Sequence, residues 1–272
     1  MKYFIVYDRQ RYIGNERFGL LLGKALRKRG HDCSVAMADS VDLSEGADGV
    51  IMRTYDPDFS MTLKEKGIRS FNNARTQSTG NDKAATYAFA RSMGIPIPET
   101  HIVRHGEEPP LGTPFVLKSR FGHGGNEVFM IENNLDYRTC SDKIKEVSFL
   151  VQKPMEPIPR QQFEIPNQAA IGNKIIAAFM RVNTSDFRSN YKLGGRASPA
   201  QVNRVEEEYV RRVCGGLRPD FIGVDFLYEK GVPYLNEIED IVGSRMVYEN
   251  SDIDILDLYA EYIVRETSAK HI

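Results

Sequence analysis

Cysteine is scarce. The 272 residues hold three, Cys33, Cys140 and Cys214, widely separated and without the paired spacing of a metal site. This argues against a disulfide framework or a zinc cluster and fits reduced thiols in a cytoplasmic protein. An excess of charge of one sign is also lacking. Lys and Arg total 36 against 37 Asp and Glu, so no whole-protein field recruits nucleic acid or an anionic membrane. Long apolar runs are missing too. The apolar stretch in "MKYFIVYDRQ" ends at a charge after five residues, too short for a signal-peptide core or a membrane span. There is no low-complexity tract and no internal repeat. Nor is there a Ser/His/Asp or Cys/His nucleophile set, because His101, His105 and His123 fall in loop-like sequence.

What remains is a chain of ordinary hydrophobic content, long enough for one large domain or two to three small subdomains sharing a core. "KYFIVYD", "CSVAMA" and "GVIMRT" read as buried strands and "RFGLLLGKALRKRG" as an amphipathic helix stopped by glycine. This alternation predicts a small parallel α/β unit over residues 1–80. In "NDKAATYAFARSMGIPIPET", Asn81 or Asp82 caps a helix that ends at Gly94. From Thr113 the pattern changes. "PFVLKS", "NEVFMI", "SFLVQKP", "KIIAAFMRV", "FIGVDFLYE" and "VPYLNEIE" are short strands between turn residues, which predicts a mostly antiparallel α+β architecture. "PAQVNRVEEEYVRRVCGG" and "DILDLYAEYIVRETSAK" are its helices. The expected divisions are residues 81–150 and 151–272.

"VPYLNEIED", Val232 to Asp240, places Leu235, Glu237 and Glu239 on one strand face and Asn236 and Ile238 on the other. A hairpin turning near Gly231 sets Asp225 opposite Glu237, with Glu239 one step along. Facing carboxylates repel unless a cation or a shared proton neutralises them. One explanation is a solvated acidic face. The apolar neighbours Ile222, Val224, Leu235 and Ile238 favour the other, a hard divalent cation shared with phosphate oxygens.

A phosphate cradle is at hand in "PFVLKSRFGHGGNEVFMI". Lys118 closes a strand, and Gly122, Gly124 and Gly125 let backbone N–H groups approach phosphate oxygens. The spacing matches neither the P-loop nor GxGxxG, and taken alone this is an ordinary turn. "DFRSNYKLGGRASP" adds Arg188 and Asn190, two apart and on one face if extended; the alternative is a polar loop.

The ordered set "NDK" with Lys83, "FVLK" with the glycine-rich hairpin, "LVQKPM", "FRSNYKLGG", and "GVD" followed by "NEIE" resembles the ATP-grasp superfamily. Within it, "FRSN…GG" and the spacing from Asp225 to Glu237 and Glu239 are similar to the RimK-type α-L-glutamate ligases. The resemblance implies an α/β N-terminal unit followed by two α+β subdomains that clasp ATP. It implies that Lys83 and Lys118 contact ATP phosphates, with "RFGHGGNEV" as the mobile lid. Gln152, Lys153 and Met155 would form the adenine-binding hinge, and Glu164 falls near the ribose-binding acid. Arg188 and Asn190 would act at the phosphoryl end. Asp225, Glu237 and Glu239 would hold two Mg²⁺ ions, with Mn²⁺ an alternative. The implied reaction is ATP-dependent amide formation between a small-molecule or peptide carboxylate and an amine such as glutamate. Family members are often homo-oligomers.

Three features depart from the family pattern. Glu239 stands where Asn is usual, Asp240 follows it, and Glu164 is followed by Asn167 rather than an Arg. Arg245 lies beside the metal segment, either clamping a substrate carboxylate or offsetting the acids. Arg9, Arg11, Arg53 and Arg75 fall in or near loops of the N-terminal unit. Arg53, at a strand end where open sheets bind ligands, is the expected carboxylate contact; a solvent-facing role is the alternative. A D-Ala–D-Ala-type ligase and a nucleotide-binding regulator without catalysis are the competing functions. "FRSN…GG" weighs against the first. The intact Lys83, Lys118, Arg188, Asp225 and Glu237 weigh against the second.

Overall fold

The computed structural model describes residues 1–122, 124–155, 160–166, 174–182, 187 and 196–269, with 160–166 and 182 described by backbone alone. The chain opens with β1 (Lys2–Tyr7), α1 (Arg9–Tyr12), α2 (Glu16–Lys28), β2 (Asp32–Met37), β3 (Gly49–Arg53), α3 (Pro57–Glu65) and β4 (Arg69–Phe71). Their strands form one parallel sheet in the order β2-β1-β3-β4. All five residues of β3 are buried, as expected of a strand covered on both faces.

Two helices lead out of this unit, α4 (Ala74–Asn81) and α5 (Lys83–Ser92). Asp82 caps α5 by accepting from the Ala84 N–H. Then follow β5 (Thr100–Arg104), β6 (Phe115–Ser119), β7 (Val128–Ile131), α6 (Asn134–Ser141) and β8 (Ser148–Gln152). These strands make an antiparallel sheet in the order β5-β8-β6-β7. The last part holds β9 (Arg160–Pro166), β10 (Ala177–Val182), β11 (Arg196–Pro199), α7 (Arg204–Leu217), β12 (Phe221–Glu229), β13 (Val232–Glu239), α8 (Arg245–Asn250) and α9 (Ile255–Ser268). Its sheet runs β11-β10-β9-β12-β13, antiparallel throughout. The parallel-then-antiparallel change is the one the sequence predicts. β4, β5, β9, β11, α1, α3, α4, α6 and α8 are additional. β9 and β11 are polar in sequence, so apolar patterning does not reveal them.

The end of the chain returns to its beginning. Tyr3, Ile5, Phe18 and Leu22 of the N-terminal unit share one buried cluster with Phe221, Tyr259, Tyr262 and Ile263. Phe221 packs against Tyr259 with ring centroids 4.8 Å apart. Arg29 meets the Asp257 carboxylate through both terminal nitrogens, at 2.6 and 2.9 Å. Buried Asp220 accepts from Arg69 at 2.6 Å and from the Tyr262 hydroxyl at 2.8 Å. These contacts fix the first sheet over the third and leave a cleft between them.

Ile263 is fully buried at this junction. Ile263→Ala should cost about 2–5 kcal/mol, the range for deleting a large aliphatic from a packed core. Denaturant titration checks the cost. Native-state hydrogen exchange should show faster exchange in β1 as well as in α9; faster exchange confined to α9 would contradict the shared core.

Candidate active site

The β12–β13 hairpin carries the acids. It turns through Lys230 and Gly231, with φ of 51° and 79°. Positive φ at both positions is the two-residue turn whose twist matches paired strands. Glu229 therefore pairs with Val232 and Phe226 with Leu235, but the next pair is Asp225 with Glu237. Asn236 is the extra residue of a β-bulge. Asp225 faces Glu237 as the sequence predicts, and Glu239 pairs with Gly223.

The bulge corrects the expected face of Leu235. Strict alternation would put it beside Glu237. Instead Leu235 joins Ile222, Val224, Phe226 and Ile238 in the core under α7. Asn236 and Glu237 both turn the other way, where each meets a lysine. Lys118 Nζ donates to Asn236 Oδ1 at 3.0 Å, and Lys83 Nζ lies 3.3 Å from Glu237 Oε1.

Both lysines start from rigid positions. Lys118 is buried in the central strand β6, and Lys83 is the first residue of α5. Lys83 Nζ also donates to the Gly122 carbonyl. Asp82 takes two hydrogen bonds from the Arg120 guanidinium, which ties the base of the glycine-rich turn to α5. A side chain on Gly122 would lie 2.8 Å from Ser119 Oγ and Glu127 Oε2, so the turn needs glycine there for room. Gly124 and Gly125 have φ of 71° and 79°, the left-handed region that only glycine adopts without strain.

A cleft of about 300 Å³ lies between the N-terminal unit and this hairpin. It collects Asp225, Glu237, Glu239, Gly124 and Arg245 from the predicted site. From the predicted N-terminal arginines it collects Arg11 and Arg53. Arg9 instead pairs with Asp39 in solvent, and Arg75 is exposed on α4. Gln152 is buried, and its side-chain amide donates to Tyr87 Oη at 3.0 Å and Thr100 Oγ1 at 2.9 Å. Lys153 is exposed and Met155 half-buried on the segment leaving β8. Glu164 occupies the β9 position paired with Gly223, in register with Glu239. Arg188 and Asn190, like His123, lie outside the described residues.

Among the cleft residues that the sequence does not single out are Arg17, Arg181 and Ser244, and Asp240 joins them there. Arg181 had a readable signal as a single charge in the apolar strand "AAFMRV". Its Nη2 donates to Asp225 Oδ2. The expected convergence of Asp225, Glu237 and Glu239 is therefore only partial. Asp225 is drawn to Arg181 and Glu237 to Lys83. Among the described residues no group of three His, Cys, Asp or Glu side chains is arranged to hold a metal ion.

The hairpin acids remain under-neutralised. Burial pushes the Glu239 carboxyl up to about 8, reinforced by Asp225 and Glu237 and partly offset by Arg181 and Arg53. Burial pushes Asp240 up to about 7, opposed by its hydrogen bond from Asn81 and by Arg11 and Arg53. All-oxygen donors short of positive charge fit a hard cation such as Mg²⁺. An acid whose pKa is raised on folding favours the folded state at low pH and loses that contribution as pH rises through the folded value. Metal-free protein should therefore lose thermal stability between about pH 5 and pH 9. Glu239→Gln should flatten the loss, and Mg²⁺ should reduce it by binding the ionised carboxylates. A Tm series across this range, with and without Mg²⁺, checks the sign; a rising or flat metal-free curve would contradict it.

Similarity to known proteins agrees with this geometry. Residues 81–263 match the RimK-like ATP-grasp domain. The chain is 23% identical over 214 residues to the glutamate–LysW ligase ArgX of Sulfolobus acidocaldarius, covering 75% of this chain and 76% of that one. Its fold is similar to a RimK domain ATP-grasp protein from Sphaerobacter thermophilus, with TM-score 0.70 at 18% identity over 97% and 100% of the two chains. It is likewise similar to D-alanine–D-alanine ligase from Bacillus anthracis complexed with ATP, with TM-score 0.76 at 13% identity over 99% of both chains. Among the described residues no helix is long and apolar enough to cross a membrane. The chain belongs to the RimK-like ATP-grasp family and is by that membership an ADP-forming carbon–nitrogen ligase.

Proposed function

We propose that this chain joins a carboxylate to an amine through an acyl phosphate made from ATP. The observation that carries the reading is that Lys83 and Lys118, from two separate elements, both reach the acidic hairpin, at Glu237 and Asn236. Phosphoryl transfer needs positioning and charge neutralisation more than an acid–base residue. The two ammonium groups lie against Glu237 and Asn236 of the hairpin. With ATP bound they would pass to phosphate oxygens.

The roles follow from position together with family membership. Lys83, Lys118 and the backbone of Gly122, Gly124 and Gly125 hold the phosphates. Gln152, Lys153 and Met155 border the adenine, Gln152 through its backbone because its side chain is engaged inside. Glu164 binds the ribose. Asp225, Glu237 and Glu239 would hold Mg²⁺, which when bound would neutralise charge on the phosphate oxygens. Arg181 keeps Asp225 oriented. Arg188 and Asn190 are assigned to the transferring phosphoryl group. A substrate carboxylate oxygen attacks the γ-phosphorus, and ADP leaves. The amine nitrogen then attacks the acyl carbon, gives up a proton and expels phosphate. The relative ArgX is by its name a glutamate ligase, and we take glutamate as the first amine to test. The D-alanine ligase likeness is at the level of fold alone.

ADP release should appear with Mg²⁺, ATP and particular amino acids or short peptides, offered singly and in pairs. Glu237→Ala should lower kcat by about 100-fold or more. Lys118→Met should raise the KM for ATP. Tight ATP binding with no ADP release from any pair, protein acceptors included, would favour a nucleotide-binding regulator.

A further inference from the structure

The side of the cleft formed by the N-terminal unit contains a polar arrangement that ATP handling does not use. Arg53 ends β3 and is only 4% exposed. Its guanidinium lies over the Phe18 ring, 3.8 Å from the centroid, and Nη1 donates to the Val242 carbonyl at 2.9 Å. The buried Nε has no hydrogen-bond acceptor among the described residues. The Tyr7 hydroxyl lies near the guanidinium but donates to the Asn15 carbonyl at 3.3 Å. Glu239 and Asp240 feel the guanidinium charge, yet the buried Nε donor is left unpaired among the described residues, and an unmade hydrogen bond at a buried charged group is costly.

Ser244 reaches the same cleft from the other side. It is 1% exposed, and its hydroxyl has no partner among the described residues. Its backbone sits in the left-handed region at φ 56°, uncommon for a residue other than glycine. The Val242 carbonyl that holds Arg53 lies two residues before Ser244, so one short turn positions both groups. Lys83 and Lys118 are absent from this part of the cleft lining.

We infer that Arg53 and Ser244 form the subsite for a substrate carboxylate other than the one activated by ATP. The inference rests on the proposed ligase reaction for its place in a catalytic cycle, but not for the binding itself. The unpartnered Nε of Arg53 is a donor for one oxygen of a carboxylate, and a guanidinium can offer a parallel N–H to the other oxygen. Ser244 Oγ adds a third donor. Stacking on Phe18 keeps the guanidinium plane fixed, so little order is lost on binding. The substrate class is an amino acid or acidic peptide whose non-reacting carboxylate anchors it against the N-terminal unit.

Isothermal titration of the full chain, with Mg²⁺ and a non-hydrolysable ATP analogue present, tests the subsite. The probes are L-glutamate, its γ-amide L-glutamine and its α-amide L-isoglutamine. In the wild-type protein one of the two amides should bind much more weakly than glutamate. Arg53→Met should weaken glutamate by about 10- to 100-fold and abolish that discrimination. Ser244→Ala should weaken it by a smaller factor, and Arg53→Lys should restore only part of the loss. Binding of the ATP analogue should not change, which controls for folding. If Arg53→Met fails to fold, Arg53→Lys and Ser244→Ala carry the test. Unchanged glutamate affinity in the variants, retained discrimination, or no binding of any probe to the wild-type protein would overturn the inference. Carboxylate binding that needs Arg53, combined with no ADP release in the ligase assay, would overturn the proposed reaction and leave the subsite standing.

Discussion

Mutual repulsion among the acids of the β12–β13 hairpin is the constraint on which the rest of the site depends. Asp225 and Glu237 are directly paired, and Glu239 and Asp240 follow within three residues. Such a set is stable in a half-buried place only if positive charge arrives from elsewhere. It arrives from distant parts of the chain: Lys83 at the start of a helix, Arg181 from β10, which is separated from the hairpin by β9, and Arg53 from the first sheet. Lys118 reaches the bulge residue between them. The hairpin is thus the point at which all three sheets meet electrostatically.

The shared core makes this meeting possible. Because α9 packs on the N-terminal unit, the open end of β3 is held over the hairpin instead of swinging on a linker. The Arg29–Asp257 and Arg69–Asp220 pairs add direction to that contact. Their net worth is modest where exposed and larger at buried Asp220, whose carboxylate needs its partners. Dispersion and apolar burial hold the parts together, and the charged pairs set their register.

Much of the site was legible before the fold was known. Asp225, Glu237 and Lys118 sit at strand positions that apolar flanks mark out, and a twelve-residue separation across a glycine turn implies opposition. That reasoning reached the correct Asp225–Glu237 pair through two compensating errors. The turn is centred half a residue earlier than assumed, and the Asn236 bulge restores the pairing. The bulge also reverses Leu235, which no alternation rule anticipates, because bulges answer to the twist of the whole sheet. The arginines were harder. Arg9, Arg11, Arg53 and Arg75 look alike in sequence, yet Arg11 and Arg53 enter the cleft while Arg9 and Arg75 stay outside.

By itself, the sequence determined the kinds of elements, the parallel-to-antiparallel change and the chemistry available at the hairpin. Those properties depend on near neighbours, since side-chain period and turn residues act over a few positions. Only the tertiary structure decided which cation meets which acid, how deeply Glu239 and Asp240 are buried, and that Arg53 and Ser244 face one cleft. Arg53 and Ser244 are 191 positions apart in sequence. Their meeting follows from the packing of α9 and β12 against the first sheet. Burial and electrostatic partnership are properties of that packing, which local sequence spacing does not encode.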